Sequence, residues 1–151
     1  MSEKSLAAFP ARRKARKRAV DVLYEAEQRD RPIREILEAR RLLAMRDPQM
    51  PGIPEYTMTL VEGVAADLDA IDDAVSACLE GWELDRIAAV DRNILRVATY
   101  ELRHGDEAVD DAVVISEAVK IADVLCGDDS PGFINAVLQS VARLDGRRRA
   151  S

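Results

Sequence analysis

Aromatic side chains are scarce: one Trp, three Tyr and two Phe make 4% of 151 residues. A core built from this chain must therefore be aliphatic, and the 48% of apolar residues supplies the material. Glycine and proline are few, at seven and six, whereas Ala, Leu, Glu and Arg are plentiful, a balance that favours helix. No run of about eighteen apolar residues occurs, so no membrane span is expected. Asp21, Glu25 and Glu27 interrupt the apolar positions after the basic start, which fails as a secretory signal. The two cysteines, Cys78 and Cys126, are far apart and lack metal-ligand spacing. They are expected to be reduced core thiols of a cytoplasmic protein.

Catalytic chemistry is equally thin. His104 is the one histidine, and there is no glycine-rich phosphate loop and no Cys/His cluster. The acidic pairs Asp72–Asp73 and Asp128–Asp129 suit solvated faces or helix starts better than a metal site. No converging set of acid, base and nucleophile stands out. The expectation is a binding protein, not an enzyme, with no cofactor and no metal.

What the chain does have is charge, unevenly placed. Its formal net charge is −6, yet Arg12 to Arg18 holds six cations in seven positions. Residues 1–18 carry seven Lys/Arg against one Glu, a net of +6, and subtraction from −6 leaves −12 for the remainder. A cationic start on an acidic body fits an anionic partner at one end and a basic protein elsewhere. A solubilising tail is the plainer alternative.

The periodicity is helical throughout. Ala15, Ala19, Val22, Leu23 and Ala26 form one stripe of a first helix that begins at Ala11. Asp30 and Pro32 break it, and Ile33, Ile36, Leu37, Leu42 and Leu43 mark a second. The three prolines of residues 46–56 mark a loop. Residues 55–80 keep spacings of three and four and form one helix, or two with a break near Asp67. The helix from Arg86 to His104 is apolar over more than half its circumference and is expected to be central. A sixth starts at Asp110 or Asp111 and stops at Gly127; a seventh has Ser130 as N-cap and Pro131 in its first turn. The reading is all-α, about seven helices, with residues 1–10 a disordered arm, 11–144 a helical domain and 145–151 a basic disordered tail.

Three constellations remain. Arg13, Lys17, Val20 and Tyr24 share a face opposite the Ala15/Ala19/Leu23 stripe, a ladder of cations ending in a ring. Single-stranded nucleic acid suits such a face, because cations neutralise phosphates and a base stacks on the ring. Tyr24 packed into a neighbouring helix is the alternative. In "GDDSPGF", Gly127 to Phe133, a helix start offers amides, with Asp128 and Asp129 repelling a simple anion and Phe133 serving as stacking surface or core plug. An ordinary capped helix is the alternative there. The third is a polar stripe on the central helix, Arg92, Arg96, Thr99 and Arg103, with Asp91 at its start as cap or protein-binding edge and Glu101 within the apolar side, where it needs a partner.

With "ARRKARKRAVDVLYEAE" (Ala11–Glu27), "VDRNILRVATYEL" (Val90–Leu102), "VVISEAVKIA" and "DDSPGFINAVL" (Asp128–Leu138) in this order and spacing, the chain resembles the NusB family over roughly residues 11–144. The resemblance implies two small packed helical bundles and a role in transcription antitermination, chiefly of ribosomal RNA operons. It implies two binding partners, single-stranded boxA-type RNA of the nascent transcript and NusE, a small-subunit ribosomal protein. Other Nus factors and RNA polymerase would be engaged indirectly, and no membrane. By the same resemblance Arg12, Arg13, Arg16 and Lys17 bind RNA, Tyr24 and Arg96 lie near it, Asp129, Ser130 and Phe133 lie near RNA and NusE, and Asp91 faces NusE. Gly132 stands where members often carry lysine, which removes a cation, and Ala136 where glycine is usual. Two rivals are the related N-terminal domain of ribosomal RNA cytosine-5 methyltransferases, disfavoured because no glycine-rich cofactor motif is present by Ser151, and a helical DNA-binding regulator, disfavoured because the cations sit on the first helix and not on a recognition helix.

Overall fold

The computed structural model describes residues 3–105 and 109–150, and side chains over 11–105 and 109–145. Among these residues there are seven α-helices and no strand: α1 (Glu3–Gln28), α2 (Ile33–Arg46), α3 (Glu55–Ala66), α4 (Leu68–Ser76), α5 (Ala89–His104), α6 (Asp111–Leu125) and α7 (Ser130–Ala150). The chain divides into two compact units, Met1–Ala66 with α1 to α3 and Asp67–Ser151 with α4 to α7. Helical backbone extends back to Glu3 and on to Ala150, into the segments 1–10 and 145–151 that are expected from the sequence to be disordered. Leu6, Ala7 and Ala8 are good helix formers that continue the α1 backbone upstream of Ala11. Met1, Ser2 and Ser151 lie outside the described residues.

In the first unit the three helices pack pairwise on one another. Ala15, Ala19, Val22, Leu23 and Ala26 of α1 are all buried, as their spacing requires. They meet a layer that includes Ile36 and Leu37 of α2 and Leu60, Val61 and Val64 of α3. The small alanines let α1 approach closely, and Thr57 uses that proximity: its buried hydroxyl donates to the Ala15 carbonyl at 2.8 Å. The buried arc of α1 is wider than the stripe, because Arg16 and Val20 are also only 2% exposed. Val20 therefore belongs to the core and not to the cationic ladder.

At the end of α1 the Arg31 amide donates to the Ala26 carbonyl at 2.9 Å and the Asp30 amide to Glu27 at 3.2 Å, the pattern of a Schellman cap. Asp30 holds the left-handed position, φ 51°, that this cap needs. Glu25 of α1 ties the helix to α2, accepting from Arg40 Nε and Nη2 at 2.9 and 2.6 Å, while Arg29 donates to its other oxygen at 2.9 Å. Partial burial works to raise the Glu25 pKa, but the bonds and charges of Arg40 and Arg29 outweigh it and hold the group below its usual value.

Residues 55–80 form two helices, broken at Asp67 and ending at Ser76, before a turn in which Gly81 takes φ 77°. In the second unit α5 packs against α4, α6 and α7. It buries Ile94, Leu95, Val97, Ala98 and Leu102, in agreement with its expected central place. Its arginines serve as ties rather than a wet stripe. Arg92 donates to the Leu84 and Ile87 carbonyls at 3.0 and 2.8 Å, which braces the 3-10 turn Leu84–Arg86 ahead of α5. Thr99 is fully buried, and Arg103 stands 3.8 Å from Asp145 of α7. Burial of α5 on several sides explains the difference: its polar side chains are turned from water, Arg92 reaching carbonyls while the Thr99 hydroxyl and Arg103 Nε are buried without a hydrogen-bond partner among the described residues.

Two outcomes follow for the first unit. Asp30→Gly removes the left-handed penalty and raises the melting temperature, by about 1 kcal/mol in stability; unchanged melting would mean the cap is not strained. Glu25→Gln lowers stability at neutral pH. Because the folded pKa is depressed, the carboxylate's contribution is complete above the usual glutamate pKa and fades as pH falls through the lower folded value. Urea titrations of the two proteins should thus converge in that acidic window.

Candidate nucleic-acid interface

The cationic run lies on α1, and the buried arc dictates which cations reach water. Lys14, Lys17 and Tyr24 are exposed, with Asp21 half-buried between them, and their spacing of three and four puts them on one face. Tyr24 is 39% exposed, so it is not a core tyrosine. Lys17 pairs with Asp21 at 3.0 Å, an exposed contact of small energetic weight. Arg12 and Arg13 are half-buried, and Arg16 is buried. The exposed ladder is therefore Lys14, Lys17 and Tyr24, not Arg13, Lys17, Val20 and Tyr24; the face is turned because α1 is covered by both α2 and α3.

Residues beyond α1 hold the arginines. The Arg12 Cζ lies 4.7 Å from the centre of the Tyr56 ring and that of Arg16 5.8 Å from it, both within cation–π range. Arg18 reaches the Gly52 carbonyl at 3.4 Å. Tyr56 and Lys14 were not singled out from sequence. One signal was available for Tyr56: it is one of six aromatic residues and directly follows the proline-rich loop.

In the second unit a groove of about 280 Å³ is lined by Trp82, Arg86, Asp91, Asp129, Ser130 and Phe133 among others. Asp91 sits in the first turn of α5 and is 7% exposed. Its Oδ2 accepts from the Ser130 hydroxyl at 2.9 Å. Its Oδ1 is buried without a hydrogen-bond partner among the described residues, a costly state for a carboxylate oxygen. Ser130 is not the N-cap: α7 begins at Ser130, and the carbonyl of Asp129 accepts the Phe133 amide at 3.3 Å. As the first residue within α7, Ser130 is not in the position from which a side chain caps the following amides, and its hydroxyl donates to Asp91. Asp129 is exposed, Phe133 is half-buried, and Trp82 is 63% exposed. The sole tryptophan, beside Gly81 in a turn, was a visible sign of this groove that sequence reasoning passed over.

Cys126 joins this cluster. Burial, then the Asp91 hydrogen bond and charge, push its thiol up to about 12, with Ser130 pulling slightly the other way. Both cysteines are unbridged and half-buried, not core residues as expected. Arg96, expected near RNA, is part of neither surface. Its Nε and Nη2 bind the two Asp72 oxygens at 2.8 and 2.9 Å, a bidentate pair linking α5 to α4. Among the described residues no group of His, Cys, Asp or Glu could hold a metal ion, and no helix is long and apolar enough to cross a membrane.

The NusB family model matches residues 13–143. The chain belongs to the NusB family. The transcription antitermination protein NusB of Salinispora arenicola (strain CNS-205) is 52% identical over 134 residues, 89% of this chain and 96% of that protein. Among solved structures, T. maritima NusB is 32% identical with a TM-score of 0.73, covering 87% of this chain and 90% of its own. A chain from a crystal structure of antitermination factors NusB and NusE in complex with dsRNA shares the fold, with TM-score 0.73 at 23% identity over 88% of this chain and 96% of that one. The NusB match spans both units, so the basic α1 and the groove at Asp91 belong to one family domain.

The Asp91 cluster has a chemical readout. Asp91→Asn lowers the Cys126 pKa and speeds alkylation of that thiol at pH 8 about three- to fourfold per unit of fall, the gain in thiolate being partly offset by its lower nucleophilicity. Ser130→Ala slows it and leaves Asp91 Oδ2 without its donor, at a cost of about 1–3 kcal/mol in stability. Equal rates in all three proteins would contradict the cluster.

Proposed function

We propose that this chain is a cytoplasmic transcription antitermination factor that binds boxA-type single-stranded RNA of nascent ribosomal transcripts together with NusE. The observation that carries the RNA reading is the solvent face of α1, where Lys14 and Lys17 lead to the exposed ring of Tyr24. Phosphates meet the two ammonium groups, and a base stacks on the ring, as single-strand binders of low sequence demand do. Arg12 and Arg13 flank this face. The buried Arg16 supports it from within and takes no direct place at its surface.

The groove of the second unit serves a different contact. Asp91 and Asp129 give it negative charge, and Trp82 and Phe133 give it aromatic walls, a combination suited to a basic protein such as NusE. The exposed Asp129 carboxylate meets the cations brought by that partner, and the buried Asp91 adds its charge from beneath. Ser130 holds Asp91 in place, and Arg96 works inside the fold. The family's named activity is antitermination, and a non-enzymatic role agrees with the lack of any catalytic constellation in the sequence. Other Nus factors and RNA polymerase are engaged through this assembly.

Fluorescence titrations of boxA RNA with NusE present test the reading. Lys14→Ala and Lys17→Ala should each reduce the slope of log K against log salt by about 0.7. Tyr24→Phe keeps binding and Tyr24→Ala loses about 1–3 kcal/mol. An unchanged slope in the double lysine variant, or equal affinity for duplex DNA, would point to a different ligand.

A further inference from the structure

Tyr56 is the second residue of α3 and is half-buried, directly after the proline-rich loop. Arg12 and Arg16 both lie over its ring, at 4.7 and 5.8 Å. The same stretch supplies the Gly52 carbonyl to Arg18. Three of the six cations in residues 12–18 are thus held by the short segment 52–56, which the RNA reading leaves without a role.

We propose that Tyr56 is a positioning residue for RNA binding, its ring holding the Arg12 guanidinium in the orientation that meets phosphate. The inference rests on α1 being the RNA-binding helix. Its physical basis is that stacking and hydrogen bonding use different parts of a guanidinium. A guanidinium whose flat face lies on a ring keeps its in-plane N–H groups for hydrogen bonds to an approaching anion, and the Arg12 Cζ, 4.7 Å from the Tyr56 ring centre, is close enough for that contact. An arginine in solution must give up rotamer freedom to make that approach. One already stacked has given up part of it on folding, so binding costs less. The ring's negative face also offsets the repulsion among closely spaced cations, so Arg12 stays beside Arg13 and Arg16 in the absence of ligand. Lysine lacks the flat face, which accounts for arginine at position 12 while the outward positions 14 and 17 carry lysine.

The test measures boxA RNA binding by the full chain with NusE, across a salt series, alongside melting curves. Tyr56→Phe keeps the ring and should bind as the parent does. Tyr56→Leu should bind roughly two- to fivefold more weakly, the range of an exposed cation–π contact. Its salt slope should fall toward that of Arg12→Ala, and combining the two should cost no more than Arg12→Ala alone. A merely structural Tyr56 would lower melting while leaving the slope and the additivity untouched, and that overturns the proposal. Should Tyr56→Leu not fold, pentafluorophenylalanine at position 56 preserves shape while reversing the ring's charge distribution; binding equal to that of Tyr56→Phe then overturns the proposal as well. If Arg12→Ala binds weakly and Tyr56→Leu binds normally, this inference alone fails. If Arg12→Ala itself binds normally, Arg12 meets no phosphate, and the inference falls for that separate reason.

Discussion

Helix α1 has to be a core helix and a cation carrier over the same residues. Ala15 and Ala19 are buried against the rest of the first unit, while six cations crowd the positions from 12 to 18. A helix covered over a wide arc cannot keep six charges in water, so the run is sorted by geometry. Lys14 and Lys17 fall outside, Arg12, Arg13 and Arg18 lie at the boundary, and Arg16 is drawn in. Charged groups at such a boundary require partners. The Tyr56 ring and the Gly52 carbonyl are two of them. The composition follows this sorting: flat, delocalised guanidinium groups occupy the boundary and the interior, and compact ammonium groups face solvent.

The second unit answers a similar problem with the opposite sign. Asp91 is carried under a groove by the first turn of the central helix, where the helix dipole favours a negative charge. Ser130 and Cys126 converge on it from the start of α7 and the end of α6, so three chain segments are joined by one carboxylate. Its Oδ1 is buried beneath the groove without a hydrogen-bond partner among the described residues.

The apolar periodicity carried most of the fold. The helical content and the central place of α5 followed from spacings of three and four, because aliphatic burial depends on little else, whereas the same spacings left open whether residues 55–80 form one helix or two. Direction around a helix was harder to read. Val20 and Tyr24 were placed on one face with Arg13, yet Val20 is core and the exposed ladder starts at Lys14. That error arises because a single stripe describes a helix packed on one side, and α1 touches both α2 and α3. Side-chain partnership was less visible still. Nothing local marks Arg96 as the partner of Asp72, or turns the Ser130 hydroxyl from its own helix to Asp91. These depend on which residues meet across the unit, and such choices are made by tertiary packing.

Lysine reactivity puts the central claim, that the solvent face of α1 receives the RNA, to its most direct test. Acetylation rates at each lysine are measured by mass spectrometry for the chain with NusE, with and without saturating boxA RNA. Lys120 on α6, whose side chain is 54% exposed, is the internal control. RNA should slow Lys14 and Lys17 at least several-fold beyond any change at Lys120, since a phosphate-bound amine is shielded from the reagent. Lys14 and Lys17 that react at their original rates while RNA is fully bound would show that the nucleic acid lies elsewhere and would contradict the account.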